Sequence, residues 1–336
     1  AGYPFKINPP YVTNEPPKNW TTYTERNPTG QYRRTFKLPA SWTEGQTFLR
    51  FDGVMSAFYV WINGHKVGYS QSSFDASEFN ITPFLMPGKN VIAVEVYKYS
   101  DGSYLEDQDF WRFGGIQRSV TLFHTPNLQI RDFTIRTLPM GNGDDYSLQI
   151  NPQLRTFDAN SGKGYSVKAL LYDATGKEIA SVSTPAEPIL DIQHKAKNMN
   201  EWFPQRGERK FARMETTVVK PHEWTAETPY LYTLRLQLTD SLGHITQQAE
   251  QKVGFRWLKI SDGMLLVNGK PVKLRGVNRH EHDPYTARVM TEERMQEDIR
   301  LLKGANINAV RCSHYPNNPR WYELCDSAGI YLIDEA

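Results

Sequence analysis

The chain has only two cysteines in 336 residues, Cys312 and Cys325. A disulfide framework of the kind that staples small secreted domains is thereby excluded, and both thiols read as small buried hydrophobes. An excess of one charge is also lacking, since 39 Lys and Arg stand against 37 Asp and Glu. So near a balance implies no polybasic face for nucleic acid or for an anionic membrane. No apolar run approaches the ~18 residues of a membrane-spanning helix, and nothing at Ala1 resembles a signal peptide, so the expected compartment stays open between cytoplasm and periplasm. No internal repeat or low-complexity tract is found.

What the chain does have is aromatic strands and turn chemistry, in a length that suits two or three domains. Residues 1–125 are β-rich: Ala57 to Ile62 runs into Asn63-Gly64 and then His65 to Tyr69, the strongest short hairpin signal. Further strands at Asn90 to Lys98 and Ser119 to Phe123 fit a jelly-roll β-sandwich. Residues 126–257 repeat the all-β theme with seven short strands, from Leu128 to Leu138 through Ile245 to Val253, and turns such as Asp173-Ala-Thr-Gly176. That pattern predicts an immunoglobulin-like β-sandwich, with a polar loop over Asp191 to Arg209.

Residues 258–336 change period. Pro271 to Leu274 reads as a strand; Thr291 caps a helix with Met295, Ile299 and Leu302 on one face, stopped by Gly304. A second strand follows from Asn308 to Cys312, a helix opens at Pro319 and ends at Gly329, and Ile330 to Ile333 makes a third strand. This βαβαβ order predicts parallel strands, whose carboxyl-end loops carry Arg279, His280, Glu281, His282, Arg311, His314, Asp334 and Glu335. Titratable groups so concentrated at strand ends suggest a catalytic mouth. A whole (β/α)8 barrel needs about 250 residues, so this region is expected to be the incomplete start of one.

Two stretches of the first domain suit a polyhydroxylated ligand. Tyr104-Leu-Glu-Asp-Gln-Asp-Phe-Trp-Arg-Phe-Gly-Gly115 mixes carboxylates with aromatics, and Arg26-Asn-Pro-Thr-Gly30 is a turn with a side-chain amide. Carboxylates and amides bond neighbouring sugar hydroxyls, and aromatic faces cover the apolar side of a pyranose. The competing reading is an Asx turn at Asn27 and an ion pair of Arg112 that shapes the loop. His280 and His282 alternate at a strand end, a spacing that would also serve a metal, as in metal-dependent amidohydrolases. His314 is either a hydroxyl-bonding group or a structural rim histidine.

Arg26 to Gly30, Ser100-Asp-Gly-Ser-Tyr-Leu-Glu-Asp-Gln-Asp-Phe-Trp111, Gly276-Val-Asn-Arg-His-Glu-His282 and Asn308-Ala-Val-Arg-Cys-Ser-His-Tyr-Pro316, in that order, closely resemble the large bacterial β-galactosidases of glycoside hydrolase family 2. The resemblance covers essentially the whole chain. It implies a jelly-roll sugar-binding domain, an immunoglobulin-like domain and the first strands of a TIM barrel. It further implies that Asn27 contacts the galactosyl group, that Asp109 binds sugar hydroxyls and a sodium ion, and that His280 and His314 hydrogen-bond galactose hydroxyls as the transition state forms. Arg311 is then an ion-pair and packing partner, and His282 has no assigned role. The family also uses magnesium and two glutamates, an acid/base and a nucleophile, all expected beyond Ala336, so Glu281 and Glu335 do not replace them. A segment preceding Tyr3 is expected as well. The implied activity is retaining hydrolysis of terminal β-galactose from lactose-like glycosides, by a tetrameric or dimeric homo-oligomer, with this portion inactive alone. A β-glucuronidase or β-mannosidase of the same family, a non-catalytic carbohydrate-binding module and a metal-dependent amidohydrolase are the alternatives.

Overall fold

Chain packing divides a computed structural model of the protein into two compact units, residues 1–124 with 275–324 and 332–336, and residues 125–274 with 325–331. The structure describes residues 27–106, 108–141, 143–159, 162–197 and 212–335. Arg26, Asp107 and the stretch around Tyr3 lie outside them.

The first unit begins with the expected jelly roll. Its strands are β1 (Thr29–Lys37), β2 (Gln46–Phe51), β3 (Val54–Met55), β4 (Ala57–Ile62), β5 (His65–Ser70), β6 (Ser77–Asn80), β7 (Lys89–Tyr97), β8 (Gly115–Ile116) and β9 (Val120–Thr125). One sheet has the order β1-β7-β4-β5, a second β6-β2-β9, and β3 pairs with β8. Asn63 and Gly64 both take positive φ, 51° and 84°, the backbone a two-residue hairpin between right-twisted strands needs. Leu49, Phe51, Phe58, Val60 and Ile62 alternate inward to form the sandwich core. Between β7 and β8, helix α1 (Gly102–Leu105), capped by the Asp101 carboxylate, starts the loop that carries the aromatic motif.

The second unit contains β10 (Leu128–Pro139), β11 (Tyr146–Thr156), β12 (Ser166–Tyr172), β13 (Glu178–Pro185), β14 (Met214–Val218), β15 (Tyr232–Thr239) and β16 (Ile245–Val253). Sheets ordered β10-β11-β14 and β13-β12-β15-β16 make the immunoglobulin-like sandwich. Along β15, Tyr232, Leu234, Leu236 and Leu238 all face the core, a strict period of two. The loop expected over Asp191 to Arg209 is instead helical at its start: α2 runs Ala186–Lys197, and residues 198–209 lie outside the described residues. Pro188 sits in the first turn of α2, where its missing N–H costs nothing, and Ile189 and Leu190 are buried. Gln193 both donates to and accepts from the Leu154 backbone at 2.9 Å, satisfying groups that a bare strand would leave exposed.

A second correction concerns the first parallel strand. Lys270–Pro271 (β19) belongs to an antiparallel sheet with β17 (Leu258–Ser261) and β18 (Met264–Val267), built on two left-handed turns, Asp262-Gly263 and Asn268-Gly269. The first parallel strand is β20, Gly276–Arg279, which pairs in parallel with β21, Ala309–Cys312. The sheet is completed on the other side of β21 by β22, Tyr331–Ile333. Between them lie α3 (Glu292–Gly304) and α4 (Pro319–Ala328). The Thr291 hydroxyl caps α3 by accepting from the Arg294 N–H, and Met295 and Leu302 form its buried stripe. Gly304 is the last helical residue, and the positive φ that turns the chain away falls on Asn306. Both cysteines are buried, and burial pushes the Cys312 thiol up to about 12, so it stays protonated and inert. Val310 and Tyr331 of this sheet are buried, whereas Ile333 and, before β20, Leu274 are exposed.

Candidate active site

The parallel register fixes the site. Arg279 of β20 lies opposite Cys312 of β21, so the segments that leave the same end of the sheet carry His280 and His314. Their imidazole centroids are 5.3 Å apart and the rings are nearly perpendicular, at 83°. All four residues singled out in the sequence, Asn27, Asp109, His280 and His314, fall in the first unit.

His314 is held by the residues after β22. Its Nδ1 lies 2.9 Å from a Glu335 carboxylate oxygen and 3.3 Å from the Arg311 guanidinium. Since a carboxylate can only accept and a guanidinium can only donate, the shorter contact decides the tautomer: Nδ1 carries the proton and donates it to Glu335. The Nε2 atom is then the imidazole's free hydrogen-bonding position. Arg311 also pairs with Glu335, as expected of an ion-pair partner. The His314 hydrogen bond and then Arg311 hold the Glu335 carboxyl below its ordinary range, so it stays an anion that orients the ring.

His280 belongs to a ladder of rings. Trp111 stacks on His282 at 4.9 Å and 9°, and His282 stacks on His280 at 5.0 Å and 13°. The Trp111 side chain remains half exposed. Burial first, then the charges of His314 and Arg288, lower the His280 pKa against an opposing pull from Asp109. That pull places the exposed Asp109 carboxylate within electrostatic reach of His280. Nearly parallel imidazole planes cannot turn two lone pairs onto one ion, and the described residues form no group of three His, Cys, Asp or Glu ligands. The geometry therefore gives the amidohydrolase alternative no support.

Asn27 is tied to neither histidine. Its amide donates to the Tyr99 carbonyl at 2.8 Å and accepts from the Tyr99 N–H at 3.0 Å, a clamp to β7's end rather than a local Asx turn. One amide N–H and one oxygen lone pair remain for a further partner. Glu281 is buried in a structural role: Arg118 bonds one oxygen at 3.0 Å, and the Asn318 N–H bonds the other at 2.7 Å. Arg118 also donates to the Phe74 and Pro316 carbonyls, at 2.6 Å and 2.5 Å. Beneath the histidines, Tyr315 stacks on Phe74 at 4.3 Å and meets Phe110 edge-on at 5.5 Å. Sequence reasoning gave Arg118, Arg288 and the stacking of Trp111 no role, because nothing local marks them.

His282 provides a test by acid. Burial chiefly, then Arg288 and His280, pushes its pKa from 6.5 down to about 4. The folded pKa lies below the unfolded one, so the unfolded chain binds more protons in between. Its stability contribution is complete above pH 6.5 and is lost as pH falls through about 4. Denaturant midpoints measured across that window should fall more steeply for the native chain than for His282→Phe, which keeps a stacking ring but cannot titrate. Equal slopes would show that His282 is not held neutral.

Models of glycosyl hydrolase family 2 match nearly the whole length: its sugar binding domain over residues 2–126, the family domain over 128–256 and its TIM barrel domain over 258–336. The chain belongs to glycosyl hydrolase family 2. It is 42% identical over 327 residues to a β-galactosidase of Priestia megaterium, covering 97% of this chain and 30% of that protein. A β-galactosidase of Pectobacterium atrosepticum is 43% identical over 338 residues, with 99% and 30% covered. Among solved structures, a β-glucuronidase of Bacteroides uniformis superposes with a TM-score of 0.76 at 29% identity, over 91% of this chain and 36% of that one. The chain thus spans about a third of the length of the relatives it matches. Family membership accounts for the two sandwiches followed by parallel strands.

Proposed function

We propose that this chain is the amino-terminal portion of a retaining exo-β-galactosidase that removes terminal non-reducing β-D-galactose from glycosides such as lactose. The observation that carries the reading is the His280–His314 pair at the carboxyl end of adjoining parallel strands, with His314 oriented by Glu335. Two perpendicular imidazoles 5.3 Å apart can bond neighbouring hydroxyls of one pyranose ring. As the ring flattens toward an oxocarbenium-like state its hydroxyls become more acidic, and a fixed imidazole acceptor then gains more from the transition state than from the substrate. A neutral His280 suits that role, and its pKa is lowered. Asn27 and Asp109 would bind further hydroxyls from the β-sandwich side.

Asp109 offers an exposed carboxylate, the kind of oxygen donor a sodium ion takes, so it fits as one ligand among several. Bound there, sodium would supply a fixed positive charge for sugar hydroxyls. No residue of this chain is assigned to magnesium.

Galactose over glucuronate rests on the identity to the two β-galactosidases, since the β-glucuronidase fold is shared at lower identity. The full-length protein should hydrolyse a nitrophenyl β-galactoside in preference to the β-glucuronide. A higher kcat/KM on the glucuronide would overturn the assignment. The 336-residue chain alone should turn over neither. Retaining hydrolysis needs two carboxyl groups about 5–5.5 Å apart, and Glu281 and Glu335 are committed to Arg118 and to His314 with Arg311. Turnover by the purified chain from a host lacking β-galactosidase would contradict this.

A further inference from the structure

Arg288 is 3% exposed, yet it forms no ion pair with any carboxylate among the described residues. Its guanidinium carbon lies 4.5 Å from the Tyr315 ring centroid, 5.1 Å from Phe110 and 5.5 Å from both Phe74 and Phe113. One nitrogen, Nη2, donates to the Trp111 carbonyl at 2.6 Å, while Nε and Nη1 are buried without a hydrogen-bond partner. Glu281, committed to Arg118, acts on Arg288 only electrostatically. A cation taken out of water with two orphaned N–H groups is costly, and ring faces offset only part of that cost. Packing alone would be served better by a methionine.

The cage explains the cation by what it joins. Phe74, Phe110 and Phe113 come from the β-sandwich, Tyr315 from the segment after β21, and Arg288 from the segment after β20. The hydrogen bond ends on Trp111, whose ring begins the ladder Trp111–His282–His280. We propose that Arg288 is a positioning residue: it locks the Trp111 backbone and thereby fixes the ring ladder that sets the plane of the His280 imidazole. The inference rests on the galactosyl-site role proposed for His280 and His314. The guanidinium charge acts in the same direction, since it disfavours protonation of His282 and His280. The other charged or titratable groups acting on His280 are His314, Arg311 and Asp109, and on His282 it is His280.

The test compares Arg288→Met, Arg288→Lys, His280→Ala and His314→Ala in the full-length protein, with a nitrophenyl β-galactoside as substrate. Arg288→Met keeps volume and apolar contact, so its melting temperature should stay near wild type. Its kcat should fall about tenfold to a hundredfold, with KM changing less, because a slightly misplaced transition-state group loses rate before it loses substrate affinity. The acid limb of its pH profile should move to higher pH, and Arg288→Lys, which keeps the charge, should return that limb to its wild-type position. Wild-type kcat and pH profile in Arg288→Met would overturn the inference, as would a rate loss fully explained by a lower folded fraction. If Arg288→Met does not fold, Arg288→Lys decides alone: without the planar fork its kcat should fall while the acid limb stays, and wild-type kcat would refute the latch. Should His280→Ala and His314→Ala keep wild-type rates, the galactosyl-site reading itself fails. If they are impaired while Arg288→Met is not, only the positioning role of Arg288 is lost.

Discussion

In the full-length protein, His314→Ala should lower kcat by about 10²–10³, the loss seen when one preorganised transition-state hydrogen bond is removed. The size follows from how firmly the ring is held. Its Nδ1 proton is committed to Glu335, itself paired with Arg311, so the remaining nitrogen presents one fixed geometry to a sugar hydroxyl. Alanine removes that group and leaves the Arg311–Glu335 pair intact. Because the His314 side chain is partly exposed, the melting temperature should change little. A planar transition-state analogue should weaken more than a substrate-like inhibitor, since the contact gains strength only as the ring flattens. Equal weakening of both would reduce His314 to uniform binding. Early melting with unchanged kcat per folded molecule would make it structural.

The largest expected effect on stability lies one residue beyond His280. The Arg118–Glu281 pair has side chains only 4% and 2% exposed, and Glu281 also accepts from the Asn318 N–H. Removing one member of such a pair leaves the other charge buried and uncompensated, which costs about 3–5 kcal/mol. Glu281→Gln should therefore lower the unfolding free energy of the first unit by that amount in urea titration. The double variant Arg118→Met with Glu281→Leu should recover most of the loss, because well-packed apolar residues replace a buried pair at little net cost. A loss below about 1 kcal/mol for Glu281→Gln, the value of a surface bridge, would show that water reaches the pair.

The fold was legible where side-chain period and turn chemistry agreed. Asn63-Gly64 between apolar runs announced its hairpin, and seven short strands with turns such as Asp173-Ala-Thr-Gly176 announced the second sandwich. The same Asn-Gly signal at Asn268-Gly269 explains the misplaced first parallel strand, since it turns Lys270–Pro271 back onto Met264–Val267. Gly276–Arg279 was obscured because three of its four residues are exposed and only Arg279 is buried. The helix at Ala186–Lys197 was hidden by its polar outer face, and only burial of Ile189 and Leu190 against the sandwich reveals its inner one.

At the site, the placement of His280 and His314 beyond the carboxyl ends of parallel strands was legible from strand order, whereas choosing them from the other titratable groups there rested on the family resemblance. Roles set by distant partners were not. Arg288 reaches the Trp111 carbonyl across 177 residues, and Arg118 reaches Glu281 across 163. No local pattern encodes a contact over such a separation, so neither arginine has a role until the sandwich and the parallel strands are placed together within the first unit.

The most direct measurement is a crystal structure of the full-length protein with a planar galactonolactone-type analogue. The ring should lie against the carboxyl ends of β20 and β21, with His280 and His314 each within hydrogen-bond distance of a different sugar hydroxyl and the His314 Nδ1 still on Glu335. An analogue seated away from both imidazoles, or one that leaves them bonded only to protein groups, would contradict the account.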